Sequence, residues 1–147
     1  MATANNSSQI KIRKMTSYDY KQAYSLWERT PGMHLREADD SLAEISRLLR
    51  FNHDLCYIAE ANKKIIGTIM GATDGRRGKI YHLAVDEEFR GLQVAKKLLD
   101  LVSLNLNKVG IRKISVCVMN NNELGIGFWE HCGYQKRTDI SYFDRIL

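Results

Sequence analysis

The sequence predicts an α/β protein of the α+β type, built on a mixed and mostly antiparallel sheet. Two helical patterns precede most of the strands, three runs of β-forming residues are joined by short turns, and a long helical pattern separates two later strands. Short turns join antiparallel strands, whereas an intervening helix allows parallel pairing. The predicted order is therefore β-α-α-β-β-β-α-β-α-β.

The first third of the chain contains one strand and two helices. Residues Gln9 to Met15 alternate polar and apolar side chains, as a half-buried strand does. Thr16 opens a helical pattern that stops before Pro31. Ser41 and Glu44 then form a capping box, which predicts a second helix with its own apolar stripe.

Three strands follow in the middle of the chain. Leu55 to Glu60 and Lys64 to Ala72 are rich in β-forming residues, and Ala61-Asn62-Lys63 between them is typical of a hairpin. After a turn at Asp74 to Gly78, the segment Lys79 to Val85 has the same composition. It predicts the third strand of this group.

The last third alternates helices with strands. Apolar residues step by threes and fours from Leu92 to Val109, and Gly110 ends this helix. Lys113 to Met119 predicts a strand and Asn122 to His131 a short helix. Tyr134 to Phe143 predicts a terminal strand or hairpin.

Composition favours one domain with a small anionic ligand. A chain of 147 residues, 44% apolar and 27% charged, is long enough for one sizeable core. We assign residues 9–147 to that domain and 1–8 to a flexible polar N-terminus. The net charge of +5 favours an anionic partner, but the 22 Lys and Arg are spread out and are not interleaved with aromatic residues. A phosphorylated small molecule is therefore expected, and not a nucleic acid.

The three cysteines indicate neither a disulfide framework nor a metal site. Cys56, Cys117 and Cys132 are odd in number and form no C-x-x-C pair. Such usage is typical of a reducing compartment, so a cytoplasmic protein is expected. No run of eighteen apolar residues occurs, and the first eight residues lack the apolar core of a signal peptide. Neither secretion nor a membrane partner is expected.

The junction from Phe89 to Ala95 is the clearest functional signal in the sequence. It joins the strand that ends at Val85 to the long helix that begins near Leu92. The first amides of a helix have no intrahelical partner, and together with the positive end of the helix dipole they attract phosphate. Arg90 adds a permanent positive charge. A phosphate site is therefore predicted at this turn.

The residues around this turn resemble the GNAT superfamily of N-acetyltransferases. The resemblance is carried by Leu83-Ala84-Val85, by the segment from Phe89 to Leu99 and by the segment from Asn122 to Tyr134. It covers residues 9–147, and Leu26 to Arg29 with Gly67 to Gly71 is similar to a group of small bacterial single-domain members. The resemblance implies a sheet whose central parallel strands splay apart. It also implies transfer of the acetyl group of acetyl-CoA to a primary amine, by direct attack in a ternary complex and without a metal.

The resemblance also implies which residues bind acetyl-CoA. Backbone N–H groups of the turn would hold the pyrophosphate, the strand before it would pair with the pantetheine arm, and the Val85 N–H would polarise the thioester carbonyl. Asn122 would touch the pantetheine arm, although capping the short helix explains an Asn there equally well. The implied binding residues are Leu83, Ala84, Val85, Arg90, Gly91, Leu92, Gln93, Val94, Ala95, Lys96, Asn122, Phe128 and Trp129.

Gln93 departs from the family pattern, which has glycine at this place in the turn. Glycine permits left-handed backbone angles and a close approach of phosphate. A glutamine must either adopt an ordinary helical backbone with its side chain turned outward or weaken binding. We expect the ordinary helical backbone.

The catalytic groups are less clearly marked. Members of the family often have a Tyr acid where this chain has Trp129, and an indole N–H is no useful acid. The candidate bases, each acting through ordered water, are Tyr81, His82 and Glu60. Because successive strand residues face opposite ways, only one of Tyr81 and His82 can face the acyl group. Tyr81 has the parity of Leu83 and Val85, so we expect Tyr81 there, although His82 is chemically the better base.

The acceptor pocket is expected at the segment Arg29 to Glu37, the turn Asp74 to Gly78 and the C-terminal strands, by analogy with the family. Candidate lining residues are Trp27, Met33, His34, Arg76 and Tyr142, and Glu28 beside them could accept an ammonium proton through water. The acceptor is a small-molecule or peptide amine. The alternative function is a non-catalytic acyl-CoA sensor or a protein-interaction module, and the apolar end Ile146-Leu147 suggests a possible homodimer.

Overall fold

The computed structural model describes residues 9–147. These residues divide into two compact units, a first unit of residues 9–117 and a second unit of Val118–Leu147. The predicted flexible N-terminus, residues 1–8, lies outside the described residues. The first unit contains the sheet.

Across residues 9–147, five strands form one mixed and mostly antiparallel sheet; the kind of sheet is the one predicted, but the predicted order had six strands. They lie in the order β1-β2-β3-β4-β5; the first three neighbouring pairs are antiparallel and β4 pairs parallel with β5. The strands are β1 Lys11–Lys14, β2 Cys56–Ala61, β3 Lys64–Thr73, β4 Gly78–Val85 and β5 Ile114–Val116. The helices of this unit are α1 Tyr20–Glu28, α2 Glu37–Asp40, α3 Leu42–Phe51 and α4 Val94–Lys108. The short helix α2 is an addition to the predicted order.

Local signals in the sequence account for where several elements begin and turn. The Ser41 hydroxyl accepts a hydrogen bond of 3.3 Å from the Glu44 amide, which confirms the predicted cap of α3. Asn62 and Lys63 both have left-handed φ angles, of 53° and 63°, between the paired residues Ala61 and Lys64. Two such residues form the two-residue turn that suits the twist of a hairpin. The predicted hairpin is confirmed.

Helix α4 packs closely on one face of the sheet because β3 and β4 present glycines to it. A Cβ atom on Gly71 would lie 2.7 Å from Cγ1 of Val102, and one on Gly78 would lie 2.8 Å from Cδ1 of Leu106. Met70, next to Gly71 in β3, faces the opposite side of the sheet and packs with Trp27 of α1 in the main apolar cluster. Helices therefore cover both faces of the sheet.

The second unit contains helix α5, Glu123–His131, and an extended tail. The strand or hairpin predicted for Tyr134 to Phe143 is wrong, because this segment has no strand pairing. A period-two pattern becomes a strand only when a neighbour supplies ladder hydrogen bonds. Val118–Leu147 offers no such neighbour of its own.

The described residues contain neither a helix that could span a membrane nor a cluster of metal ligands. No helix within the described residues is both long and apolar enough to cross a membrane. Across 9–147, no group of three or more His, Cys, Asp or Glu side chains is placed to hold a metal ion.

Candidate active site

The sheet opens between β4 and β5. Their pairing joins Gly78 to Ile114 and ends at Ile80 with Val116, while β4 continues to Val85. Within the described residues, the last part of β4 therefore has no β5 partner. This is the separation of the parallel strands that the family resemblance implies.

A β-bulge lies in β4 beside this opening. Tyr81 faces Met70 and Ala84 faces Thr68, so a three-residue step in β4 lies opposite a two-residue step in β3. Directly paired residues share a face of the sheet, and an inserted residue shifts the alternation beyond it. The predicted parity of Tyr81 with Leu83 and Val85 is therefore wrong, because Tyr81 shares a face with Ala84.

His82 lies in the bulge and has the left-handed φ angle of 51°. Such an angle is uncommon outside glycine and persists where the surroundings hold it. The Thr68 hydroxyl donates a hydrogen bond of 2.7 Å to the His82 carbonyl and accepts one of 2.8 Å from Nε1 of Trp27. The backbone of the bulge is thus held by a buried polar chain.

The His82 imidazole is held as firmly as its backbone. Its Nε2 lies 2.7 Å from Oδ1 of Asp40, and its ring packs edge-on against Trp27 with centroids 4.4 Å apart. The His82 side chain is 16% exposed, whereas Tyr81 is 42% exposed as a residue. Of the two predicted candidates on β4, His82 is the one with a fixed position.

Asp40 is a functional candidate that the sequence does not reveal. Its carboxylate also accepts a hydrogen bond of 2.8 Å from the Arg36 amide. Burial by itself would raise the pKa of Asp40, but the hydrogen bonds from His82 and Arg36 outweigh it and the pKa is lowered. Asp40 and His82 are 42 residues apart, and no local pattern marks the pair.

Glu60 is not brought to this pair. It lies at the hairpin end of β2, with β3 between it and β4, and its carboxylate is 3.6 Å from the Arg13 guanidinium. Arg13 also binds Asp19 through two nitrogens, at 2.8 and 2.9 Å. Glu60 thus belongs to an ion-pair cluster beside β1.

The turn between β4 and α4 has two left-handed residues. Gly91 has a φ of 81°, and Gln93, directly before α4, has a φ of 64° and a ψ of 19°. The expected helical backbone at Gln93 is wrong. The helix starts only at Val94, and the preceding turn requires the left-handed angle, which strains a glutamine because its Cβ crowds the following carbonyl oxygen.

This turn presents amides at the start of α4. The first helical hydrogen bond runs 3.0 Å from the Lys97 amide to the Gln93 carbonyl. The amides of Val94 and Ala95 therefore have no acceptor inside the helix, and Gln93 caps none of them with its side chain. Arg90 is exposed in the same turn.

The base of the turn is fixed by an ion pair. The Asp86 carboxylate accepts from the Glu88 amide at 3.0 Å and lies 2.8 Å from the guanidinium of Arg29, at the end of α1. Burial alone would raise the pKa of Asp86, but Arg29 and the Glu88 amide lower it on balance. The turn is therefore tied to the segment that follows α1.

An open cleft of about 410 Å³ lies along that segment. The predicted residues Trp27, Met33 and His34 line it, as does Glu28. Arg76 is elsewhere, in an exposed turn with its guanidinium 3.2 Å from Asp74. The remaining lining residues are Tyr24, Thr30, Gly32 and Leu35.

The second unit holds the other predicted binding residues. Asn122 caps α5, its Oδ1 accepting a hydrogen bond of 3.0 Å from the Gly125 amide. Trp129 is buried, with ring centroids 5.3 Å from Phe128 and 4.8 Å from Tyr134. Tyr142 is 75% exposed in the tail. Capping and aromatic packing thus explain these residues locally.

The sequence profile of the acetyltransferase (GNAT) family matches residues 20–134, most of the chain. The chain belongs to the GNAT family. A GNAT enzyme is an acyltransferase that uses acetyl-CoA, so this protein is an acetyltransferase.

Solved structures of other GNAT proteins share the fold. Ard1 from Thermoplasma volcanium is 21% identical with a TM-score of 0.75, over 85% of this chain and 82% of that one. PaiA N-acetyltransferase from Thermoplasma acidophilum, in complex with coenzyme A, is 20% identical with a TM-score of 0.73, over 86% and 89%. The aminoglycoside N-acetyltransferase AAC(6')-Iy, in complex with a bisubstrate analogue, is 19% identical with a TM-score of 0.74, over 94% and 99%.

The turn of this GNAT enzyme suits the pyrophosphate of acetyl-CoA. The amides of Val94 and Ala95 are available, Arg90 supplies positive charge, and a Cβ atom on Gly91 would meet nothing within 4 Å. Leu83 and Val85 are half-buried and Ala84 is buried at the opening of the sheet. These features fit an extended ligand that pairs with β4 and ends in a phosphate at α4. Leu92 and the exposed Lys96 flank the same turn, and Lys96 Nζ is 2.7 Å from Asp100.

Proposed function

We propose that this enzyme transfers the acetyl group of acetyl-CoA to a primary amine by direct attack within a ternary complex. The observation that carries the proposal is the position of His82, which lies on the strand that opens beside β5 and packs against Trp27, a buried residue at the edge of the cleft. An amine in the cleft and a thioester along β4 would meet beside this residue.

Backbone groups of the first unit supply binding and orientation. The amides of Val94 and Ala95 and the side chain of Arg90 hold the pyrophosphate, and the backbone from Leu83 to Val85 holds the pantetheine arm. The Val85 N–H polarises the thioester carbonyl, as an oxyanion-hole donor does. Bound acetyl-CoA supplies the activated acetyl group.

The chemistry needs a proton acceptor more than a proton donor. The amine nitrogen forms a bond to the acetyl carbon, the carbon–sulfur bond breaks, and the amine proton passes to His82 directly or through one water molecule. A thiol with an ordinary pKa of about 8.5 leaves as the thiolate near neutral pH without an acid. The indole of Trp129 is then not required to act as one. Tyr81 and Glu60 remain alternatives, but neither has the fixed position of His82 on β4.

The cleft favours a cationic acceptor. Of the described lining residues, only Glu28 has a carboxylate, and the adjacent Arg29 is engaged with Asp86. Two structural neighbours are aminoglycoside acetyltransferases: AAC(6')-Iy is in complex with the bisubstrate analogue CoA-S-monomethyl-acetylneamine, and an enzyme from a soil metagenomic sample is in complex with sisomicin. Their folds support a small-molecule amine as the acceptor. Peptide amines are the second class of acceptor to be tested.

A screen for acceptors tests the proposal. Purified protein, acetyl-CoA and a panel of small amines, aminoglycosides and peptide amines are combined, and the released thiol is measured. We expect release with at least one amine, together with the mass of an N-acetyl product. We also expect Glu28→Gln to raise KM for a cationic acceptor, whereas Glu130→Gln, an exposed carboxylate of the second unit, leaves KM unchanged. Binding of acetyl-CoA without turnover across the panel would instead support a non-catalytic sensor.

A further inference from the structure

The carboxylate of Asp40 is engaged at both oxygens. Oδ1 lies 2.7 Å from Nε2 of His82, and Oδ2 accepts a hydrogen bond of 2.8 Å from the Arg36 amide. The Asp40 side chain is 7% exposed, and its backbone carbonyl accepts a hydrogen bond of 2.7 Å from the Tyr20 hydroxyl. The orientation of this carboxylate is therefore fixed.

This arrangement determines which nitrogen of His82 carries the proton. The pKa of Asp40 lies below its ordinary value, since the hydrogen bonds outweigh the effect of burial, and the group is ionised at neutral pH. An ionised carboxylate can only accept hydrogen bonds, so Nε2 must donate. In a neutral imidazole with its proton on Nε2, the lone pair is on Nδ1.

We propose that Asp40 is a positioning residue that fixes His82 in the Nε2–H tautomer, so that Nδ1 accepts the amine proton during acetyl transfer. The inference rests on the proposed function, since it assumes His82 as the proton acceptor. The same logic operates wherever a carboxylate holds one nitrogen of a catalytic histidine and leaves the other to the substrate.

The surroundings of His82 are consistent with this role. Among residues 9–147, no hydrogen bond to Nδ1 is present, and the side chain keeps 16% of its exposure. The His82 ring packs against Trp27, the Tyr20 hydroxyl and the Arg36 amide donate to Asp40, and the Thr68 hydroxyl donates to the His82 carbonyl. During transfer, Nδ1 takes the proton as the carbon–nitrogen bond forms. The resulting imidazolium, paired with Asp40, then returns it to solvent.

The tautomer can be measured in the wild-type protein without any activity assay. Nitrogen NMR on protein labelled in its histidines distinguishes a protonated ring nitrogen from a bare one, and the spectrum of His82→Asn identifies the His82 signals. We expect protonated Nε2 and bare Nδ1 at the pH of maximal activity. Protonated Nδ1 with bare Nε2, or a ring protonated at both nitrogens, overturns the proposal.

Asp40→Asn replaces the hydrogen-bond acceptor that faces Nε2 of His82 by a donor. The single amide oxygen is needed by the Arg36 amide, so the NH₂ group faces Nε2 and the proton moves to Nδ1. We expect the tautomer to switch and kcat to fall by about 100-fold or more, the usual contribution of a general base, with KM for acetyl-CoA unchanged. The matched control is Asp39→Asn, which makes the same charge change at an exposed neighbour 3.4 Å from the Arg36 guanidinium. A switched tautomer with wild-type kcat overturns the proposal, as does an equal loss in both variants.

The two proposals fail in different ways. If amines are acetylated but His82 is protonated on Nδ1, only the role of Asp40 is wrong. If the predicted tautomer is found but no amine is acetylated, the tautomer assignment survives, the proposed function fails and the catalytic role of Asp40 fails with it.

Discussion

Replacing Gln93 by glycine and by alanine tests the left-handed start of α4. Both substitutions remove the glutamine side chain, but only glycine removes the Cβ that makes a φ of 64° unfavourable. A left-handed angle at a non-glycine residue costs about 1–2 kcal/mol. Glycine loses about 0.5–1 kcal/mol through its greater freedom in the unfolded chain. We therefore expect Gln93→Gly to be more stable than Gln93→Ala by about 0.5–1 kcal/mol.

The comparison of the two variants is decisive because an ordinary helical backbone at Gln93 predicts the opposite order of stability. In an ordinary helical backbone, glycine would be less stable than alanine by about 1 kcal/mol. Urea unfolding and thermal scans measure the difference, which corresponds to a melting shift of about 1–4 °C for a chain of this size. A glycine variant less stable than the alanine variant would refute the left-handed assignment.

The same two proteins report on ligand binding. Neither substitution removes the amides of Val94 and Ala95, so we expect Kd for acetyl-CoA, measured by calorimetry, to stay within about threefold of wild type. A loss of more than tenfold in Gln93→Ala would show that the glutamine side chain itself contacts the ligand.

Three further predictions concern packing, hydrogen bonding and pH. Gly71→Ala would press a methyl group against Val102 and should lower the free energy of unfolding by about 1–3 kcal/mol. Gly127→Ala, in open space inside α5, should instead raise it by up to about 1 kcal/mol. Chemical denaturation measures both changes. Thr68→Val leaves the indole N–H of Trp27 buried without its acceptor and should lower the free energy of unfolding by about 2 kcal/mol. Thr68→Ser keeps the hydroxyl and should lower it by only about 1 kcal/mol, for the lost methyl group. Equal losses in the two variants would contradict the role of the hydroxyl. Burial alone would raise the pKa of Asp19, but hydrogen bonds from Arg13 and Thr16 outweigh it and lower the pKa in the fold. The stabilising effect of Asp19 is therefore present above the unfolded pKa of about 3.9 and is lost as pH falls from that value through the lower folded pKa. Over this range, the unfolding free energy of Asp19→Asn should decline less steeply with falling pH than that of wild type.

Much of the fold could be predicted because its signals are local. Helical spacing, the Ser41 cap and the Asn62-Lys63 turn each act within a few residues, and each specifies the same element in the structure. The terminal strand failed because pairing depends on a partner, which alternation along 134–143 does not supply. The short helix α2 lies between Arg36 and Ser41, where the sequence shows no apolar periodicity of its own.

The candidate site also has parts that the sequence predicts and parts that it does not. The phosphate turn could be predicted because its residues are consecutive in the sequence. The backbone angle of Gln93 could not be predicted, because it depends on the shape of the turn. The face occupied by Tyr81 was mistaken because one inserted residue in β4 shifts the alternation, and only the pairing with β3 reveals it. Asp40, the last residue of α2, meets His82 of β4 through a side-chain contact that spacing along the chain does not encode.

The most direct test of acetyl transfer by direct attack is to mix the protein with one equivalent of acetyl-CoA, first alone and then with the acceptor amine. Free thiol and the intact mass of the protein are followed together. We expect no thiol and an unchanged protein mass until the amine is added, because no residue is acetylated on the way. Thiol release before the amine, with the acetyl group found on Cys117, Cys132 or any other side chain, would contradict direct attack.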